Sequence, residues 1–339
     1  MIAHRENAAD LQIRQIGIAL AAYQPDPALL AIQLQSIQRQ TFQNWICVIT
    51  VDSPLEPLTR AASLQPYFED LRFCWSENPQ RLGHKKNFER AIKTLCAMPV
   101  DAIACSDQDD EWYPEKLDLL RLELQKHGAL CLVHSNMNTL GSDGQRGDSV
   151  WAIERRRIVN NKTRDLLLRN VVTGCAMLMD ANLPRTYPNI PESAQYHDHW
   201  YALLASQHCG VHAVDRVLSA YRQHDQNVVG LKEFNALSAI QIKSPIKNWS
   251  SNCIRGWNHT ENLVNSLIQI DAKFGVVDRL LFIKRDFGIG LMLYGMTQLW
   301  GDPVLARTCA TRGMGKALVN AASLFSFKNR ARSPQVSHH

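Results

Sequence analysis

Ala102-Ile103-Ala104-Cys105-Ser106-Asp107-Gln108-Asp109-Asp110-Glu111-Trp112-Tyr113-Pro114 is the stretch on which the reading of this chain turns. Its first five residues are small or apolar and end abruptly at charge, which fits a short strand buried on both faces. The strand runs into an acidic turn, and Pro114 suits the first turn of a helix beyond it. Three aspartates within four positions repel one another unless positive charge lies between them. Carboxylate oxygens suit Mg2+ or Mn2+, and magnesium takes only one or two of them, completing its shell with water and substrate phosphates. On spacing alone, the turn serves equally well as an acidic cap for the helix near Pro114.

The same alternation extends in both directions. Short apolar runs predict strands at 16–22, 45–51, 71–76, 102–106 and 129–135. Segments of helical period lie between them, one with Pro27 near its start, one over about 84–95 and one opening at Pro114. This is the pattern of an α/β fold, a mainly parallel sheet with flanking helices. In such sheets ligands bind at the carboxyl ends of strands. The ends in question are Ala22-Tyr23-Gln24, Val51-Asp52-Ser53 and Ser106-Asp107-Gln108-Asp109-Asp110. Residues 141–169 turn polar and glycine-rich around Arg155-Arg156-Arg157, predicting mobile loops. An apolar block at 171–179 then leads to Tyr196-His197-Asp198-His199-Trp200 and Ala220-Tyr221-Arg222-Gln223-His224. The division expected is a domain over 1–230 and a helical, basic C-terminal extension over 231–339.

Charge follows that division. The chain has 37 Lys and Arg against 32 Asp and Glu, but residues 1–230 are net −3 and residues 231–339 net +8. Arg307, Arg312, Lys316, Lys328, Arg330 and Arg332 interleave with Leu318, Val319, Leu324 and Phe325, a pattern that suits peripheral contact with an anionic membrane or simply a solvated basic face. No recognition motif accompanies the charge, so nucleic acid is not expected as a partner. The uncharged run at 287–301 is too short to span a bilayer and reads as a core helix. Nine cysteines without a Cys-x-x-Cys pair indicate neither a zinc site nor a disulfide framework, and residues 1–15 lack the apolar core of a signal peptide. A cytoplasmic location is the expectation, with peripheral contact at the inner face of the plasma membrane as its extension.

The segment Ser106 to Leu117, Ser-Asp-Gln-Asp-Asp-x-Trp-x-Pro-x-Lys-Leu, closely resembles the Asp-x-Asp region of family 2 glycosyltransferases, particularly bacterial rhamnosyltransferase-like members. Other segments resemble that family in the same chain order: Ala22-Tyr23-Gln24, residues 35–45, Asp52, Gly83-His84-Lys85-Lys86-Asn87-Phe88, Thr173-Gly174-Cys175, residues 196–200 and residues 221–230. The similarity covers roughly residues 14–230. It implies a GT-A fold and a nucleotide-sugar donor, held by Tyr23, Asp52, Lys86, Asp107 and Arg222. Asp52 would accept from the donor's base and Asp107 would face the ribose and sugar. Asp109 would be the metal ligand, joined by His224, and Asp110 would either assist or cap the next helix. Ser53-Pro54 departs from the acidic residue or glycine that many relatives carry beside Asp52, which loosens the reading of the base.

The resemblance makes Asp198 the candidate general base. An inverting transfer needs one carboxylate to take the proton from an acceptor hydroxyl as that oxygen attacks the anomeric carbon. In isolation, Asp198 reads as a cap on a helix over about 199–207. Trp112, Tyr113 and Trp200 read first as packing residues, with sugar stacking the alternative. The acceptor expected is a glycan or lipid-linked oligosaccharide, in bacterial surface polysaccharide synthesis. The donor expected is dTDP-rhamnose, a UDP-sugar or a GDP-sugar, and the rhamnosyltransferase-like signature leans toward the first. Competing readings are a nucleotidyltransferase, which the glycine-free segment 21–31 disfavours, and a binding module without catalysis.

Overall fold

The computed structural model describes residues 12–141, 143–156, 163–223, 246–270 and 308–316. In chain order the first elements are β1 (Ile16–Ala22), α1 (Pro27–Gln38), β2 (Trp45–Val51), α2 (Glu56–Thr59), α3 (Gln65–Glu69), β3 (Phe73–Glu77), α4 (His84–Cys96), β4 (Ala102–Ser106), β5 (Glu111–Trp112) and α5 (Lys116–Leu124). They continue as β6 (Leu132–Leu140), β7 (Arg146–Ser149), α6 (Val150–Ile153), α7 (Thr163–Leu168), β8 (Met177–Asp180), α8 (Asn182–Thr186), α9 (His197–Ser206), β9 (Val211–Arg222) and α10 (Ile246–Ile270). Among the described residues these strands form one sheet in the order β3-β2-β1-β4-β8-β6-β9-β5, with β7 on β6.

The first half of the sheet is parallel. β1 pairs with β2 and β4, and β2 with β3, so Ala22 faces Val51 while Leu20 faces Ser106. Ile16, Ile18 and Leu20 on one face of β1 and Ala19 on the other are fully buried, as a strand covered on both faces requires. α1 begins where Asp26 accepts from the amides of Ala28 (2.8 Å) and Leu29 (3.2 Å) with Pro27 behind it, a capped N-terminus. α4 buries Phe88, Ala91, Ile92 and Leu95, one stripe of a 3.6-residue period.

The second half is mixed: β8 joins β4 and β6 antiparallel, β6 pairs with β9 parallel, and β5 meets β9 antiparallel. Three boundaries differ from the sequence reading. β3 starts at Phe73 rather than at 71, and Leu71 is exposed. β6 starts at Leu132, three residues late, and continues to Leu140 through polar residues because β9 pairs along its length while β8 flanks its start and β7 its far end. α5 starts at Lys116, two residues after Pro114, because the amide of Tyr113 donates to Leu218 O (3.0 Å) and Pro114 O accepts from Thr41 N (2.8 Å). Those bonds extend the β5 pairing and leave the helix to begin afterwards. The stretch read as mobile loops, 141–169, contains β7, α6 and α7 among its described residues.

The chain divides into two compact units, one of residues 1–166 and 170–233 and the other of 167–169 and 234–339. In the second, α10 buries Cys253, Trp257, Thr260, Leu263 and Leu267, every third or fourth position, and Lys316 Nζ lies 4.9 Å from the Trp257 ring. Among the described residues no helix is long and apolar enough to cross a membrane. The uncharged run at 287–301 lies outside the described residues, as do all the basic residues singled out beyond 300 except Arg312 and Lys316.

Candidate active site

Parallel pairing delivers three strand ends to one edge. The amide of Asp52 donates to Ala22 O (2.7 Å), that of Tyr23 to Gln108 Oε1 (2.8 Å) and that of Gln24 to Ser53 Oγ (3.1 Å). Tyr23, Asp52 and Asp107 are thereby neighbours although far apart in sequence. Tyr23 is exposed, with the Arg81 guanidinium 4.4 Å over its ring. Asp52 is buried, and its carboxylate accepts from Leu82 N (2.7 Å), Gly83 N (2.7 Å) and Asn78 Nδ2 (2.8 Å). It organises the segment that leads into α4, while Asn87 bonds Ala22 O and Thr50 O from below. Lys86 Nζ is held by Glu89 (2.8 Å), Ile190 O (3.3 Å) and Glu192 (3.7 Å) on the flank of α4.

The acidic turn is supported from three sides. Gln33 of α1 places its amide oxygen at Ser106 Oγ (2.8 Å) and its nitrogen at Asp110 O (2.6 Å). β9 brings Arg222, whose amide donates to Asp110 Oδ1 (3.2 Å) and whose Nε donates to Asp109 O (3.0 Å). From beneath, Lys116, with no exposed surface, donates from Nζ to Cys175 O and sits 3.9 Å from the Trp112 ring. Positive charge thus does lie beside the aspartates, supplied by the chain itself.

Electrostatics separate the aspartates. Burial, with the charges of Asp107 and Asp109 added, pushes Asp110 up to about 8. Burial also raises Asp107, while His84 and Lys116 pull it back. Lys116 is pushed down to about 8 by burial, against the opposing pull of Cys175, Asp110 and Asp107. The N-cap residue of α5 is Glu115, with no side-chain cap bond, so Asp110 is not the cap of α5. Ligand atoms of Asp107, Asp110 and Cys175 lie within 4.8 Å of one another, a possible acidic metal site. Asp109 is outside that trio, and His224 lies outside the described residues. The Asp107 carboxylate suits a hard divalent cation, whereas Asp110 and the Cys175 thiol, both raised by burial, fit neutral roles beside it.

Asp198 stands in the first turn of α9, beyond the N-cap residue Tyr196. Its Oδ1 accepts from Asn170 Nδ2 (3.1 Å) and His199 N, and its Oδ2 from Gly174 N (3.0 Å). Burial raises its carboxyl to about 6; the two backbone amides and Arg156 lower it, and the nearby charge of Asp107 raises it further. The flanking histidines turn inward: His197 stacks on Phe88 at 3.8 Å and His199 bonds Leu166 O at 2.6 Å. Trp112 and Trp200 are buried packing residues. Arg156 bonds Glu154, Val171 O (2.8 Å) and Thr173 Oγ1 (2.7 Å), so it braces the fold, and Arg157 lies outside the described residues.

Sequence reading missed the contributions of Gln33, Asn170, Cys175 and Lys116. For Lys116 a signal existed: it shares the buried face of α5 with Leu117, Leu120 and Leu124, a core position occupied by a charge. Asn170 gave none, since its tie to Asp198 spans 28 residues.

Residues 18–183 match the family described as Glycosyl transferase family 2. The crystal structure of S. aureus TarS 1-349 in complex with UDP-GlcNAc is similar at a TM-score of 0.53 and 11% identity, over 91% of this chain and 92% of that one. The same fragment in complex with UDP gives 0.51 at 11% identity over 92% of each chain. A longer S. aureus TarS chain gives 0.51 at 11% identity over 87% of this chain, which spans 55% of that one. No curated protein matches this chain by sequence. At such identity the likeness is one of fold.

Proposed function

We propose, for a chain of GT-A fold whose residues 18–183 match Glycosyl transferase family 2, an inverting transfer from a nucleotide-sugar donor with Asp198 as the base. The observation that carries this reading is the meeting of two kinds of carboxylate at one sheet edge. Asp107 leads the acidic turn, and its charge reaches Asp198, a carboxyl poised at about 6. A base near neutral pH beside an anion-rich donor turn is what proton abstraction during transfer requires.

In the proposed reaction the acceptor hydroxyl oxygen bonds to the anomeric carbon, its proton passes to Asp198, and the bond to the nucleotide diphosphate breaks with its electron pair on the leaving oxygen. Gly174 N and Asn170 orient Asp198 for this. Tyr23 and Asp52 bind the nucleoside end, Asp107 the ribose and sugar side, and Arg222 and Lys86 the phosphates, Lys86 after leaving its bonds to Glu89 and Ile190. Asp109, at the partly exposed rim of the turn, would hold a divalent cation with Asp107, and His224 would join them. Mg2+ or Mn2+ bound there would supply charge neutralisation for the leaving diphosphate. Asp110, kept neutral by burial, serves the scaffold.

The donor-class proposal is dTDP-rhamnose, resting on the signature Ser106 to Leu117; the acceptor is a glycan or lipid-linked oligosaccharide of the bacterial surface. A domain over 1–230 carries the chemistry in this proposal, with 231–339 as a basic extension able to contact an anionic membrane. The test is a thermal-shift screen of dTDP-, UDP- and GDP-sugars with MnCl2 or MgCl2, followed by donor hydrolysis. One donor class should raise Tm only with metal present, and Asp109→Ala should abolish that shift. A flat screen across every donor and both metals would sink the proposal.

A further inference from the structure

The geometry points to Lys116 as a positioning residue that ties the acidic donor turn to the carboxylate of Asp198, an inference that rests on the assignment of Asp198 as base. The link is a short one. Lys116 Nζ, stacked over Trp112 at 3.9 Å, donates to Cys175 O. Cys175 lies in a tight turn closed by Ala176 N on Thr173 O (2.9 Å), and one residue earlier Gly174 N donates to Asp198 Oδ2 (3.0 Å). The Cys175 thiol sits in the cluster with Asp107 and Asp110. One ammonium therefore holds the turn whose next amide aims the base, while its charge faces the aspartates of the donor side.

The rest of the turn has no slack. Arg156 Nη1 bonds Thr173 Oγ1 (2.7 Å) and Val171 O (2.8 Å), and Asn170 accepts from Val172 N (3.0 Å) while donating to Asp198 Oδ1 (3.1 Å). A Cβ on Gly174 would stand 2.6 Å from His197 Nε2. Lys116 is the one tie that reaches this turn from the helix following the acidic motif. A leucine or methionine would fill the same stripe of α5 without the cost of burying an ammonium. Neither could hold Cys175 O. The lysine is thus explained by what it bonds rather than by packing.

The test compares wild type, Lys116→Met, Asp198→Asn and the double variant by amide hydrogen exchange and by turnover with the donor that the thermal-shift screen identifies. In Lys116→Met, exchange across 172–177 should quicken by about tenfold or more while β1 stays protected. Turnover should fall by about 10- to 100-fold in kcat with donor KM within about twofold, since the defect is in aim and not in donor binding. Adding Lys116→Met to Asp198→Asn should cost nothing further, because the lysine acts through that carboxylate. Unchanged exchange at 172–177, or a full additional loss in the double variant, overturns the inference. If Lys116→Met does not fold, Lys116→Gln is read in the same way; failure of both to fold also overturns it, by making Lys116 a core residue. Failure of the base assignment is distinguishable: Asp198→Asn alone would then turn over normally.

Discussion

Asp110 and Asp198 are both carboxyls raised by burial, yet their surroundings give them opposite states at neutral pH. Asp110, at about 8 with the charges of Asp107 and Asp109 beside it, holds its proton at pH 7. Asp198, at about 6 with two backbone amides on its oxygens, has released it. A base works only when ionised, so turnover is expected to rise with pH through about 6 and level off above it; a pH profile of kcat/KM checks this. Asp198→Asn should retain donor binding in a thermal shift while losing roughly 10²–10⁴-fold in transfer rate. Because Asp110 is already neutral, Asp110→Asn should keep the donor-induced Tm shift that Asp109→Ala loses. At this scale the acidic motif, Asp52 and Asp198 were legible in the chain as residue types after strand ends or at a helix start. What separates Asp110 from Asp109 was not legible, because it depends on β9 closing over the turn through Arg222, more than 100 residues away.

Elements buried on both faces declared themselves, since an apolar run between polar turns has one stable use. β1, β2 and β4 have the bounds their composition predicts, and α1 starts where Asp26 and Pro27 place it. β5, β7 and the far half of β6 did not: polar residues such as Glu111, Arg146, Asp148, Asn136 and Asn138 break the apolar pattern, and pairing with β9 or, for β7, with the neighbouring β6 makes them strands. The close seat of α4 on β1 has the same character. Gly17 stands in an apolar strand where valine would serve by propensity, but a Cβ there would lie 2.8 Å from Leu95 Cδ2. Gly17→Ala should therefore destabilise by about 1–3 kcal/mol, the usual cost of overpacking a filled core. Chemical denaturation should show a lower midpoint with an unchanged slope; an unaltered midpoint would mean that the Leu95 side chain yields freely.

At the scale of the whole molecule, charge and chemistry are segregated along the chain. Residues 1–230 are net −3 and residues 231–339 net +8, while every described residue assigned to the donor or the base falls in the first group. A transferase whose acceptor is carried on a lipid gains by concentrating at an anionic surface, and each Lys or Arg close to such a surface contributes about 1 kcal/mol. If the basic extension serves that end, the full chain should sediment with phosphatidylglycerol vesicles and not with phosphatidylcholine vesicles. Binding should weaken sharply between about 50 and 500 mM salt, as the Debye length contracts from about 14 to about 4 Å. Charge reversal at Lys328, Arg330 and Arg332 should reduce vesicle binding while leaving the donor-induced Tm shift in place, because the residues assigned to the donor all fall within 1–230. Equal binding to both lipids, or binding indifferent to salt, would remove electrostatics as the cause and return the basic face to a role in solubility alone.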